Sequence, residues 1–483
     1  MSAEPESSPP PFSDNNHALT SHALDRATGA ALSEGNAVDL LIDARANFDA
    51  WLVAIRTASR SILLENYIVA DDSVGREFLD ALTERAHAGV WVRVIHDWLG
   101  CLGNSKASFW LPLQQAGGEV RAYNPVRFDS PFGWLGRDHR KLMVVDGDRA
   151  FVSGICVAAK WLGDPAAGLA PWRDTGVAIR GPACAAISAA FADTWGQLGS
   201  ALDASIETAT PAVAGDTSLR VIATTPNRAS LYRTDLFVAA MARKTLWLTD
   251  AYFVGFAPYV QALCAAARDG VDVRLLVPGT SNLKLVARLS HAGYRPLLEA
   301  GVKVYEWNGT MLHAKTAVAD RRWARVGSSN LNIASWLTNC EIDVAIEDAA
   351  FAQRMAAQYE TDLQNATQIV LSERHRVARS APVSVRSIRG SGSTSRAAAS
   401  TLRLVNTVGA ALGNRRVLGK TEAGLLPPAA IGLIVLSIVA AIWPRLLAWP
   451  LALILLWIGA SMLLRYARLK RGQDKPGGAN ARD

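Results

Sequence analysis

The chain is 483 residues long and half hydrophobic, with a formal net charge of +7. The charge is uneven: from 371 onward 17 basic residues stand against 4 acidic ones, so the first 370 residues are net acidic by about six. A nuclease usually carries its basic footprint on the catalytic body, so this distribution argues against nucleic acid as a partner. Five cysteines without CxxC spacing (Cys101, Cys156, Cys184, Cys264, Cys340) argue against a disulfide framework.

Residues 1–34 are rich in Ser, Pro, Asn and Ala without an apolar period, and are expected to form a flexible arm. The opening MSAEPESSPPPF has no basic or apolar stretch of the kind a signal peptide needs, so the catalytic body is expected on the cytoplasmic side. From 35 the chain turns globular and repeats itself. SRSILLENYIV (from Ser59) matches RKTLWLTDAYFV (from Arg243), and RAHAGVWVRVIH (from Arg85) matches AARDGVDVRLLV (from Ala266). AGGEVRAY (from Ala116) matches AGVKVYEW (from Ala300), and HRKLMVVD (from His139) matches HAKTAVAD (from His313). The order is kept, which implies duplicated halves over 35–205 and 206–370.

Each half reads strand, helix, strand, a longer segment, then a strand hairpin. Ile62–Leu64 and Val92–Ile95 have the length and β-branching of buried strands. Between them Phe78, Leu79, Leu82 and Ala86 fall at helical spacing behind a cap at Asp72 or Ser73. Pro258 is placed to open the matching helix of the second half. The expected class is α/β, with two α/β/α sandwich halves.

Residues 371–422 read as a basic linker. Ala423–Trp443 and Leu446–Leu464 are uncharged runs of 21 and 19 residues separated by Pro444 and Arg445. Two transmembrane helices over 423–464 are expected, since a span needs about 20 residues. Arg415, Arg416 and Lys420 precede them, and Arg465, Arg468, Lys470 and Arg471 open the basic tail 465–483. Basic flanks favour the cytoplasm, so both ends of this hairpin are expected there. The same flanks suit anionic lipid head groups.

The chemistry is concentrated in His139-Arg140-Lys141 with Asp146, and His313-Ala314-Lys315 with Asp320. Both follow H-x-K-x4-D. On a strand, residues i and i+2 share a face, so each His and Lys can address one anionic group together. A neutral imidazole can attack phosphorus and a protonated one can donate to a leaving alkoxide. The lysines can neutralise the non-bridging oxygens. No HExxH or Cys/His cluster is present and a lysine beside each histidine disfavours a cation, so neither metal nor other cofactor is expected.

At these residues the chain resembles the phospholipase D superfamily over roughly 35–370, and within it the bacterial cardiolipin synthases of phospholipase D type. GSSNLN (from Gly327), NCEIDVAI (from Asn339) and WRDTGVAIRGPA (from Trp172) carry the likeness further. The resemblance implies that both halves face one active site and that Ser328 and Asn330 help hold a phosphate. It implies that Glu341, with Asp174 its counterpart, orients a histidine, and that Asp146 and Asp320 orient the site or brace the halves. In the first half Ser153-Gly154-Ile155-Cys156 stands where the family shows Gly-Gly-x-Asn, so a thiol replaces the amide. The implied activity is phosphatidyl transfer through a phosphatidyl-histidine, with phosphatidylglycerol a substrate and cardiolipin the product, at the bacterial inner membrane. Phospholipid hydrolysis, a membrane-tethered phosphodiesterase or nuclease, and a non-catalytic lipid-binding scaffold are the alternatives.

Overall fold

The computed structural model describes residues 14–126, 136–203, 211–226, 228–279 and 293–371, the strand Val377–Arg379, and helical positions from 431 that include Pro444–Gln473. The first half contributes strands β1 (Ser33–Ile42), β2 (Ser61–Asn66), β3 (Trp91–Asp97), β4 (Glu119–Tyr123), β5 (Lys141–Val145), β6 (Arg149–Ser153) and β7 (Thr175–Arg180). The second contributes β8 (Thr217–Thr224), β9 (Thr245–Thr249), β10 (Asp272–Pro278), β11 (Lys303–Trp307), β12 (Thr316–Ala319), β13 (Trp323–Gly327), β14 (Glu341–Ile346) and β15 (Ala366–Leu371), to which β16 (Val377–Arg379) is added. The strand order is β4-β3-β2-β5-β6-β7-β1, then β8-β14-β13-β12-β9-β10-β11-β15-β16. The second series repeats the first in mirror order about the β1–β8 junction. β1 makes that junction by pairing Ser33 and Asn36 with β8, while Ala37–Ile42 pair with β7.

Helices α1 (Asp14–Thr28), α2 (Asp43–Thr57), α3 (Ser73–His87), α4 (Trp98–Cys101), α5 (Leu111–Gln115), α6 (Ala183–Gln197), α7 (Ser230–Met241), α8 (Ala257–Arg268), α9 (Ala349–Leu363) and α10 (Pro444–Gln473) complete the described elements used below. α3 carries the crossover that lets β2 and β3 run parallel, and α8 does the same for β9 and β10. Asp72 caps α3 by accepting from the Val74 and Gly75 amides, and Pro258 sits in the first turn of α8.

Alternation along the strands divides three apolar layers. In β5, Leu142 and Val144 face a central layer, with Ile187, Phe191 and Trp195 of α6 and Phe351, Met355 and Tyr359 of α9. Met143 and Val145 face the outer layer, with Trp51 and Ile55 of α2 and Phe78 and Leu82 of α3. The second half is covered on its outer face by Leu231 of α7 and Tyr259 and Leu263 of α8. Strands buried on both faces explain the unbroken apolar runs in the sequence.

One expectation needs correcting. Residues 1–34 were expected to be a flexible arm, yet they contain α1 and the start of β1. Arg220 on β8 is fully buried and binds Asp25 Oδ1 and Ser21 Oγ of α1, each at 2.8 Å. A buried guanidinium requires such partners, and that requirement is invisible in the local pattern of residues 1–34. Most of the 371–422 linker and of the first apolar run lies outside the described residues.

Candidate active site

The chemistry gathers at one end of the sheet, where β5, β7, β12 and β14 begin and β2, β6, β9 and β13 end. His139 lies two residues before Lys141, the first residue of β5. The segment carrying it runs alongside the other half: the His139 amide donates to Cys340 O at 2.9 Å, and the Cys340 amide donates to Arg137 O at 2.8 Å. The second motif copies this arrangement. The Arg173 amide donates to Met311 O at 2.9 Å, and the His313 amide donates to Arg173 O at 2.7 Å. Each histidine is thus delivered by one half and received by the other.

The receiving group is in both cases a fully buried carboxylate. Glu341, at the start of β14, lies 2.9 Å from His139 Nδ1, and Asp174, one residue before β7, lies 2.7 Å from His313 Nδ1. With Nδ1–H donated to the carboxylate, each ring carries its lone pair on Nε2. Lys315 Nζ is 2.9 Å from His313 Nδ1 and 3.2 Å from its Nε2. Lys141 Nζ donates to His139 O and lies 5.2 Å from the centre of the Tyr67 ring. Tyr67 meets His139 edge-on at 5.0 Å, while Trp161, Trp172 and Tyr252 surround His313 at 5.3, 5.7 and 5.9 Å.

Burial and the lysines decide the protonation states. Burial lowers the His139 pKa, with Glu341 opposing and Lys141 and Lys315 assisting. Burial and Lys315 bring His313 down to about 3 against the pull of Asp174. Asp174 is lowered to about 2: burial pushes it up, but His313 and Lys315 outweigh this. Glu341 is likewise lowered, burial being outweighed by His139, Lys141 and Ser328. Burial also lowers Lys141, and it brings Lys315 down to about 8. Without an anionic ligand, then, two neutral imidazoles face two carboxylates and two ammonium groups. A phosphodiester entering here adds one negative charge and raises the affinity of both imidazoles for a proton. These states predict the pH dependence of kcat/KM, which reports the free enzyme. The acid limb should fall below pH 6.5. A further alkaline loss should lie near pH 8, where Lys315 loses its charge. Lys315→Arg should carry the residual activity to higher pH, since a guanidinium stays charged; an unmoved alkaline limb would assign it to another group.

Several expected site residues occupy other places. Asp146 and Asp320 are not in the site. They follow the far ends of β5 and β12, about 16 Å along the strand from Lys141 and Lys315, and both adopt positive φ, 52° and 51°, in hairpin turns. The Asp146 carboxylate accepts the Ser59, Arg60 and Ser61 amides, and Asp320 accepts those of Arg243, Lys244 and Thr245. They pin the hairpin to the start of β2 and β9 and do not bridge the halves. Asp146→Ala should therefore cost about 1–3 kcal/mol of stability and leave kcat within about threefold, checked by denaturant unfolding beside a turnover assay. Ser328 is also placed differently: its hydroxyl proton is committed to Glu341 Oε2 at 2.6 Å, so it supports the carboxylate rather than a phosphate.

Asn330 keeps a buried side-chain oxygen without a hydrogen-bond partner among the described residues. Its first-half equivalent, Cys156, is buried, and burial raises its thiol pKa despite Lys141 and Lys160 nearby, which keeps it protonated. Gly154 replaces Ser328 because an added Cβ there would overlap Asp174 Oδ1. His96 stacks on Trp110 at 5.6 Å, while Trp134 lies outside the described residues.

Sequence reasoning missed three supports. Ser335 Oγ donates to Glu341 Oε1 at 2.6 Å, Asn339 Nδ2 donates to the same oxygen at 3.3 Å, and Trp161 Nε1 donates to Asp174 Oδ2 at 3.1 Å. The repeat register was the one available signal, since it aligns Trp161 with Ser335 as it aligns His139 with His313.

The family model described as "Cardiolipin synthase, PLD-like domain" matches residues 51–159 and 238–363. Cardiolipin synthase A of Pseudomonas aeruginosa is 34% identical over 373 residues, covering 74% of this chain and 73% of the relative. The chain belongs to the phospholipase D-like cardiolipin synthase family. A cardiolipin synthase of Halalkalibacterium halodurans is 32% identical over 337 residues, covering 68% of this chain and 66% of that relative, so the match spans about two thirds of its length. Among solved structures, phosphatidylserine synthase of Haemophilus influenzae Rd KW20 shares the fold with a TM-score of 0.56 at 16% identity, over 72% of this chain and 92% of that one.

Proposed function

We propose that this chain is a phosphatidyltransferase that joins two phospholipids into cardiolipin, with phosphatidylglycerol as the phospholipid substrate. The observation that carries the reading is the pair of His–Lys motifs, each histidine held at Nδ1 by a carboxylate of the opposite half, in a member of this family. In the first step Nε2 of one histidine attacks phosphorus. A P–N bond forms, the P–O bond to the leaving alcohol breaks, and the other imidazolium gives that alkoxide its proton. The second imidazole, now neutral, takes the proton of the incoming hydroxyl as its oxygen attacks the phosphatidyl-histidine. The P–N bond breaks and the first histidine is restored. The intermediate keeps the energy of the phosphodiester, so transfer needs no nucleotide. His139 is the preferred nucleophile and His313 the acid. Purified full-length protein incubated with phosphatidylglycerol vesicles should release glycerol and form cardiolipin in equal amounts. Phosphatidic acid as the main product would mean hydrolysis instead.

The enzyme is assigned to the inner membrane with its body on the cytoplasmic side. Among the described residues no helix is long and apolar enough to cross a membrane. Support comes from α10, where Trp449, Leu451, Leu453, Leu455, Leu456, Met462 and Leu463 are exposed, and from the basic residues on either side of 423–464. Exposed apolar side chains in this density mark a surface that is covered in use. Deleting residues from Thr421 onward should leave turnover of detergent-dispersed lipid within about threefold and lower turnover on vesicles about tenfold or more, because tethering acts through local concentration. Equal losses on both substrates would remove the tail from this role.

A further inference from the structure

The carboxylates behind the two histidines are themselves held by different chemistry. Ser335 is buried on the π-turn Ala334–Thr338. Its hydroxyl donates to Glu341 Oε1 at 2.6 Å and accepts the Asn330 amide at 3.1 Å, while its own amide donates to Asn332 Oδ1 at 3.1 Å. Every polar atom of this serine's side chain and its N–H is thus engaged within the loop that follows β13. Trp161 is fully buried, donates from Nε1 to Asp174 Oδ2 at 3.1 Å, and meets the His313 ring at 89°. The two residues share one repeat position. A hydroxyl and an indole N–H therefore perform the same task in the two halves.

We propose that Ser335 and Trp161 are the positioning residues of the half-sites, each fixing the carboxylate that orients one histidine, and that Ser335 also ties Glu341 to the loop bearing Asn330. This rests on the two-histidine reading and extends it to residues that touch neither substrate nor imidazole nitrogen. Without Ser335 Oγ, Glu341 Oε1 keeps the longer bond from Asn339 and its 3.1 Å contact with His139 Nδ1, and the Asn330 amide loses its acceptor. The donor also withdraws part of the carboxylate's charge. Its loss lets Glu341 act more fully on His139 and raises the pKa of that imidazole.

Full-length Ser335→Ala, Ser335→Thr and Trp161→Phe test this, with kcat, KM, the pH profile of kcat/KM and thermal melting measured on each. Ser335→Ala should lower kcat about 10–100-fold with KM changed little, and move the acid limb upward. Ser335→Thr keeps the hydroxyl and should return activity to within about threefold of the parent. Trp161→Phe keeps a ring and removes the N–H, so it should lose kcat about tenfold with its own change of the pH profile. Losses without any change of pH profile, or a threonine variant no better than alanine, would overturn the proposal and leave both residues structural. His139→Ala and His313→Ala serve as controls. If these two keep turnover, the underlying two-histidine reading is what fails. If they are inactive while Ser335→Ala and Trp161→Phe match the parent, this inference alone fails.

Discussion

His139→Ala and His313→Ala should each reduce phosphatidyl transfer about 10⁴-fold or more, and the double variant should be hardly worse than either alone. In the proposed cycle one imidazole forms the P–N bond and the other moves the proton, so the loss of either stops it. The geometry makes the two halves one unit: His139 is held by Glu341 of the second half, and His313 by Asp174 of the first. The lysine fields are shared as well, since Lys315 acts on His139 and Lys141 acts on His313. Lys141→Ala and Lys315→Ala should follow the same rule with smaller losses, about 10²–10³-fold, because they remove charge stabilisation and leave the nucleophile in place. Melting curves are the necessary control, as His313, Lys141 and Lys315 are buried and His139 is nearly so. A variant lacking one motif that kept about half the parental turnover would show two independent sites and refute the shared one.

The strength of the sequence signal depended on how local its cause was. The runs Ile62–Leu64 and Val92–Ile95 became β2 and β3, and the helical spacing from Phe78 to Ala86 became α3 with its cap at Asp72, because each is fixed within a few residues. The joining of β1 to β8 was not legible, since it pairs segments about 180 residues apart and leaves no periodic trace. The Ala-rich α6 gave no amphipathic stripe because exposed positions such as Ala186 and Ala189 are alanine, like part of its buried face. In the site, the same motif spacing marked two different things. The His and Lys of H-x-K-x4-D point to chemistry, while the four residues before the aspartate record the length of the strand that runs to a left-handed turn. Spacing alone could not separate those causes. Ser328 and Ser335 were obscured by another ambiguity: a serine near a phosphate motif reads as an anion donor, and only the position of Glu341 redirects its proton.

That placement makes the two carboxylates unequal in a way a conservative substitution should expose. Among the described residues Asp174 accepts from donors that cannot turn round: the Thr175 amide at Oδ1, and Trp161 Nε1 and His313 Nδ1 at Oδ2. In Asp174→Asn the new NH₂ must face the Thr175 N–H in one orientation, or the indole N–H and the imidazole in the other. The first leaves a buried donor unpaired, and the second forces His313 into the tautomer that buries its lone pair. Glu341 is surrounded partly by hydroxyls, Ser328 Oγ and Ser335 Oγ, each at 2.6 Å. A hydroxyl can rotate and accept where it formerly donated, so Glu341→Gln can keep an oxygen on His139 Nδ1 while one serine reverses. Both variants lose the negative charge that stabilises an imidazolium, and both should be slow. Asp174→Asn should lose about 10³–10⁴-fold in kcat, as expected when a buried carboxylate behind a catalytic histidine is replaced by an amide. Glu341→Gln should lose about 10²–10³-fold, roughly one hydrogen bond to a charged group less. Steady-state kinetics on phosphatidylglycerol in mixed micelles would rank them. A Glu341→Gln enzyme slower than Asp174→Asn would mean that the serine hydroxyls cannot reverse, and that the second half holds its histidine as rigidly as the first.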